Sequence, residues 1–213
     1  MIKTFRYEDD VDEFSANSYV VGDKGGPCVV IDLGSTTDRV IKYIKANHNG
    51  CSGILLTHGH WDHIRGIPEF LDSFPNTTVF IDENDSKLLI DSYLNCSKSM
   101  DINDGVVDIE PYRIEDGDEL KFSSTLVFQV IATPFHTLGS VCFLYKHENA
   151  LFTGDTLFKG SVGRTDFPHS AARMQSESFA KLKKLDANLR IYPGHGDDTV
   201  LEKELKGNIY FNK

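Results

Sequence analysis

Apolar residues fall in short groups along the whole chain, and their spacing switches repeatedly between strand-like and helix-like periods. Ser18–Val21 and Val29–Leu33 read as two strands joined by a turn at Asp23–Pro27. Val40, Ile41 and Ile44 recur at helical spacing within Thr37–Asn47, with Ser35 or Thr36 as the N-cap. Gly53–Thr57 is a short buried-type strand. Ile64–Phe74 reads as a helix interrupted early by Pro68. Thr78–Ile81 predicts a strand, and Asp85–Leu94 a helix with Leu88, Leu89 and Tyr93 on one side. Four further strands follow at Leu120–Phe122, Leu126–Ala132, Val141–Tyr145 and Ala150–Thr153. The chain closes with an amphipathic helix over Ala171–Leu185, a strand at Arg190–Tyr192 and a helix at Val200–Lys206. Hairpins, βα units, hairpins and βα units in that order predict two mixed sheets packed face to face with helices outside, a four-layer αββα sandwich of the α/β class.

The length, 213 residues, is about 1.4 times a typical ~150-residue domain, so a single domain over 1–213 is expected. Twenty-two basic against 32 acidic residues leave a formal charge of −10, with no basic run. That balance argues against nucleic acid or an anionic membrane as the main partner and leaves room for a local basic pocket. No apolar run reaches the ~18 residues of a membrane span. The polar, acidic stretch from Met1 to Asp12 does not read as a secretory signal, and a cytoplasmic protein is expected. The four cysteines form no C-x-x-C pair and read as reduced, mostly buried thiols.

The chemistry is concentrated after Gly53–Thr57, in Thr57-His58-Gly59-His60-Trp61-Asp62-His63. Spacing of two aims His58 and His60 at one point, with Gly59 turning the backbone between them. Asp62 and His63 leave that turn toward a second point beside the first. Imidazole and carboxylate suit zinc and similar divalent metals. Three more candidates sit at the carboxyl ends of predicted strands, next to Gly or Pro: His136, Asp155 and His195. Loops at one end of a sheet core are where ligands converge on a site. His48, His147 and His169 match no such pattern and are expected at the surface.

This T-H-x-H-x-D-H loop, followed in order by a His, an Asp and a His, resembles the metallo-β-lactamase superfamily over essentially the whole chain. The resemblance implies that His58, His60 and His136 bind one metal, that Asp62, His63 and His195 bind a second, and that Asp155 bridges them. Two divalent ions per chain are expected, zinc first, with iron and manganese chemically acceptable. Such a pair activates a water at neutral pH for attack on a carbonyl, with Asp62 assisting as the catalytic carboxylate. No protein nucleophile is needed, in line with the absence of a G-x-S-x-G elbow. Asp32 reads either as a support orienting a ligand histidine or as a turn residue before Gly34. Thr57 and Thr153 read either as similar supports or, the preferred reading, as ordinary turn residues.

Within the superfamily, Phe152–Phe158 is very similar to glyoxalase II, the hydroxyacylglutathione hydrolase group. Gly160–Pro168 and Pro193–Thr199 look like its short bacterial relatives. An Asp at 155 disfavours lactamases that place a Cys there. No C-terminal helical domain of the longer enzymes is expected. Arg164 matches a basic glutathione-contacting position, but Asp166 stands where those enzymes carry a Tyr, so Arg164 reads either as an anion anchor or as a solvated loop charge. Phe135 replaces the usual Gly before the third-motif His. It is either strained at positive φ or an apolar wall of the substrate pocket. The expected activity is metal-dependent hydrolysis of a thioester such as S-2-hydroxyacylglutathione or a related acyl-thiol. The alternatives are a persulfide dioxygenase with one iron, another ester or lactone hydrolase, and a non-catalytic metal-holding scaffold.

Overall fold

A computed structural model describes residues 1–6, 15–103 and 105–212. The first sheet runs in sequence order: β1 (Ile2–Phe5), β2 (Ser18–Gly22), β3 (Pro27–Ile31), β4 (Gly50–Leu55), β5 (Thr78–Asp82) and β6 (Tyr112–Ile114). The second comprises β7 (Glu119–Lys121), β8 (Val127–Ala132), β9 (Val141–Tyr145), β10 (Ala150–Gly154), β11 (Arg190–Pro193) and β12 (Thr199–Val200), adjacent in that order. Both sheets are mixed. β3 to β6 pair in parallel in the first, and β10 with β11 in the second.

The strands are apolar on both faces, which is why they read as continuous runs. Tyr19, Val21, Val29, Ile31 and Leu55 face Phe128, Val130, Phe143 and Phe152 across the middle of the sandwich. The alternate residues Val20, Val30, Ile54 and Val79 pack beneath α1 (Thr37–Asn47) and α3 (Ile67–Ser73), after the short α2 (Trp61–Ile64). Cys142, Leu144, Leu151 and Ile191 pack beneath α4 (Gln175–Leu182) and α5 (Leu201–Gly207). The four layers are therefore helices, sheet, sheet, helices, as the element order predicts.

Three expectations change. The 64–74 helix breaks at Arg65–Gly66, not at Pro68. Pro68 instead sits in the first turn of α3, where its missing N–H costs nothing. A Cβ on Gly66 would lie 1.9 Å from Thr37 Oγ1, so the close approach of α1 requires the glycine. The predicted 85–94 helix is a 3-10 turn over Glu83–Leu89, and Tyr93 is exposed. Asp91 accepts the Tyr93 and Leu94 N–H groups (2.9 and 3.1 Å), a local alternative to helical bonding. The 171–185 helix begins as a 3-10 turn at Ala172–Met174 and is α-helical only over Gln175–Leu182. Cys28, Cys96 and Cys142 are buried and Cys51 half-buried, all as free thiols.

Candidate metal centre

β3, β4, β10 and β11 point their carboxyl ends to one side of the sandwich, and β8 runs the same way as β10 through two antiparallel pairings. The residues just beyond those ends meet between the sheets. β3 delivers Asp32, β4 delivers Thr57 to His60, and α2 delivers Asp62 and His63. β8, β10 and β11 deliver His136, Asp155 and His195.

All seven candidate ligands converge. His58, His60 and His136 form one group, Asp62, His63 and His195 a second, and Asp155 joins His58 and His63 between them. His60 Nδ1 lies 3.1 Å from His58 Nε2 and 3.0 Å from His136 Nε2. Asp155 turns one oxygen to each side: Oδ2 is 3.4 Å from His136 Nε2, and Oδ1 is 3.3 Å from His63 Nε2 and 3.6 Å from His195 Nε2. Asp62 Oδ2 is 3.2 Å from His195 Nε2. A Cβ on Gly194 would lie 2.2 Å from Asp155 Oδ1, so only glycine lets β11 pass this close.

The outward ring nitrogens of His58, His63 and His136 are held, which fixes their inward ones. His63 Nδ1–H donates to Asp32 Oδ2 at 2.8 Å. Thr57 donates to the same carboxylate through both N–H (2.8 Å) and hydroxyl (2.7 Å). The Thr57 hydroxyl in turn accepts His58 Nδ1–H at 3.2 Å. One buried aspartate therefore orients a histidine in each group. Its left-handed backbone (φ 51°) places the carboxylate under the 57–63 loop. His136 Nδ1–H donates to the Arg164 carbonyl at 2.8 Å. Thr57 is thus part of the support for the candidate ligands, whereas Thr153 bonds the Leu157 carbonyl and closes a turn.

The electrostatics divide the groups. Burial, with neighbouring imidazoles, holds His58 well below the usual histidine range and His60 down at about 3, so both offer lone pairs rather than charge. Burial also opposes charge on His63 and His195, but the surrounding carboxylates outweigh it and raise both. Asp155 and Asp62 are lowered: burial works against ionisation, and His195 and His63 overcome it.

The donor set fits divalent metal ions. The Nε2 atoms of His58 and His136 converge on His60 Nδ1 as lone pairs, and buried His60 Nε2, His63 Nε2 and Asp155 Oδ1 have no hydrogen-bond partner. Unpaired buried polar atoms of this kind are costly unless something else satisfies them. Nitrogen and oxygen ligands in this mixture suit zinc, iron or manganese.

A cavity of about 430 Å³ opens beside the cluster. Asp62, Asp155 and His195 form its floor, and Trp61, Met100, Phe158, Val162 and Phe167 much of its wall. Cys96 and Met100 arrive on a segment organised by buried Asn95, whose amide donates to the Leu88 and Gly105 carbonyls. Arg164 lies at this wall, paired with Asp166 through two bonds of 2.6 and 2.5 Å.

Phe135 departs from both readings of the sequence. It is not among the residues at positive φ, and its ring is fully buried against Phe179, in the core beneath α4. Its backbone direction sends His136 into the site and Phe135 away from it, so it does not wall the pocket. His169 is not a free surface histidine either: its ring bonds the Asn84 carbonyl and approaches Asp85. Buried Asp85 itself carried no sequence signal, because its partners lie 26 to 54 residues away.

Comparison with known proteins agrees with this geometry. A hydroxyacylglutathione hydrolase, GloC of Haemophilus influenzae, is 28% identical over 208 residues, covering 95% of each chain. The crystal structure of BLEG-1 B3 metallo-beta-lactamase superposes with a TM-score of 0.88 at 27% identity over 100% of both chains. That of TTHA1623 in a di-iron-bound form gives 0.80 at 28% identity, covering 92% of this chain and 94% of its own. The family model described as the metallo-beta-lactamase superfamily matches residues 11–195. Sequence profile, fold and ligand cluster agree: the chain belongs to the metallo-beta-lactamase superfamily.

Proposed function

We propose that this chain is a metal-dependent hydrolase cleaving a small-molecule thioester, an S-2-hydroxyacylglutathione or a related acyl-thiol. The carrying observation is Asp155, whose two oxygens face two separate ligand groups at the floor of an open cavity. His58, His60 and His136 would hold one ion and Asp62, His63 and His195 the other, with Asp155 shared. A bound pair of divalent ions would supply Lewis acidity there, for polarising an acyl carbonyl and acidifying water.

The rest belongs to the protein. Asp62, held below the usual carboxylate range and lining the cavity, would accept a proton at the carboxylate oxygen that the ion leaves free. Trp61, Phe158 and Phe167 give the acyl and thiol arms an apolar wall and exclude bulk water. The likeness to a hydroxyacylglutathione hydrolase supports a thioester as substrate. The likeness to a di-iron-bound chain supports iron beside zinc as the resident metal. Four free thiols support a reducing, cytoplasmic setting.

The test is a panel on zinc- and iron-loaded protein: lactoylglutathione, thioesters of other small thiols, a lactone, a β-lactam, and glutathione persulfide with an oxygen electrode. Metal-dependent thioester cleavage is expected. Intact thioesters alongside β-lactam or lactone turnover would move the substrate class. One iron per chain with oxygen uptake on the persulfide would replace hydrolysis by oxygenation.

A further inference from the structure

Among the described residues outside the seven candidate ligands, a second buried acid besides Asp32 binds the loops that carry them. Asp85 is fully buried in the 3-10 turn after β5. Its Oδ2 accepts the Gly59 N–H at 3.0 Å and the Thr137 hydroxyl at 2.7 Å. Its Oδ1 accepts the Gly139 N–H at 2.7 Å and lies 3.3 Å from His169 Nε2. Gly59 separates His58 from His60, and Thr137 follows His136. The first loop comes from one sheet and the second from the other. A single carboxylate thus ties together all three members of the first ligand group.

The fourth partner extends the tie to the cavity. His169 ends the 163–169 stretch that carries Arg164 and Phe167 of the wall. That stretch is fastened to the His136 loop by Leu138 N–H to the His169 carbonyl (3.0 Å) and by the Ser170 hydroxyl to the His136 carbonyl (2.7 Å). The Phe167 ring stands with its centroid 5.0 Å from that of His60. A buried carboxylate is tolerated only where its oxygens are well bonded. Here each oxygen is used, and each use falls on a loop that carries a ligand or a wall residue.

We propose that Asp85 is a positioning residue that sets the geometry of His58, His60 and His136 for one metal ion and, through His169, keeps the cavity wall in register with them. The proposal rests on the two-ion centre and not on the thioester.

The experiment titrates zinc into the chelator-stripped full chain against a chromophoric competitor, with fluorescence of the single tryptophan, Trp61, as a second readout. Amide hydrogen exchange is followed over 163–171. In Asp85→Asn, one zinc site should weaken by roughly 10–100-fold while the other stays within about threefold. Exchange over 163–171 should also rise, although the substitution is far away in sequence. Thr137→Val removes one donor and should weaken the same site by a smaller factor. It decides the matter if Asp85→Asn fails to fold. His169→Gln should raise exchange over 163–171 with a smaller effect on zinc than Asp85→Asn. A merely structural Asp85 would lower the melting temperature of the metal-free chain and weaken both sites alike or neither. Folded variants that bind two zinc ions as the wild type does overturn the proposal. Weakened zinc with unchanged exchange over 163–171 overturns the part played by His169. A wild-type chain that binds two zinc ions but leaves every thioester intact sinks the substrate reading and leaves this one in force. A wild-type chain that binds none sinks both.

Discussion

Asp32→Asn is the sharpest probe of how the ligands are held. The aspartate accepts three donors: Thr57 N–H on Oδ1, and the Thr57 hydroxyl and His63 Nδ1–H on Oδ2. Asparagine keeps the shape and tolerates the left-handed backbone at this position. It has only one oxygen, however. With that oxygen on the Oδ2 side, its NH2 opposes the Thr57 N–H. Turned round, the NH2 opposes His63 Nδ1–H. Either way a buried donor is orphaned and His63 loses its charged partner. A buried hydrogen bond to a charged group is worth about 1.5–3 kcal/mol. At about 1.4 kcal/mol per tenfold, that is roughly 10–100-fold in affinity for the ion that His63 would hold. The assay is zinc competition against a chelator, with thermal melts of the metal-free and zinc-loaded chain to separate folding from binding. Asp32→Asn that loses stability without zinc yet keeps both zinc affinities would refute the orienting role.

Asp155→Ala should weaken both metals at once and abolish turnover, because its oxygens face both groups; elemental analysis after dialysis checks this, and two retained ions would void the bridging assignment. Phe135→Ala should cost about 3–5 kcal/mol of folding stability while leaving KM within about twofold, since its ring fills the core and not the cavity; denaturant melts and steady-state kinetics separate the two. Zinc binding should release protons at pH 7, and the sign follows from the ligands. His63 and His195 are raised, so they carry protons until a metal displaces them, and affinity there should climb as pH rises through neutrality. His58 and His60 are lowered and have no such proton to lose. Calorimetry in buffers of different ionisation enthalpy would show it, and a titration without proton release would contradict it.

Much of the fold was legible because burial on both faces writes long signals. Val40, Ile41 and Ile44 gave α1 with its observed ends. What escaped was short or exposed. β1, β6 and β12 are edge or near-edge strands of two to four residues, with exposed Lys3, Tyr112 and Arg113 diluting any pattern. The 83–94 stretch has helical spacing at Leu88 and Leu89, but the side chain of Asp85 is pulled into bonds with distant loops, and local aspartate turns finish what remains.

The site divides the same way. His58 to His63 lie within six residues, so their chemistry is visible without a fold. His136, Asp155 and His195 become candidates only as residues that follow strands, and the structure places them together because β8, β10 and β11 end on one side. The supports are legible least of all. Asp32 looks like any turn aspartate, and Asp85 like part of a predicted helix, yet each is a buried side chain whose partners lie tens of residues away. A ligand motif repeats residue types that a metal demands. A support needs only one acceptor at one point in space, and many local sequences can supply that. Asp32 crosses from β3 to β4 and Asp85 from one sheet to the other, so both are properties of the packed sandwich rather than of any segment. The bonds at these two carboxylates, and the residues Thr57, Gly59, His63 and Thr137 that make them, should therefore govern how the candidate ligands are set.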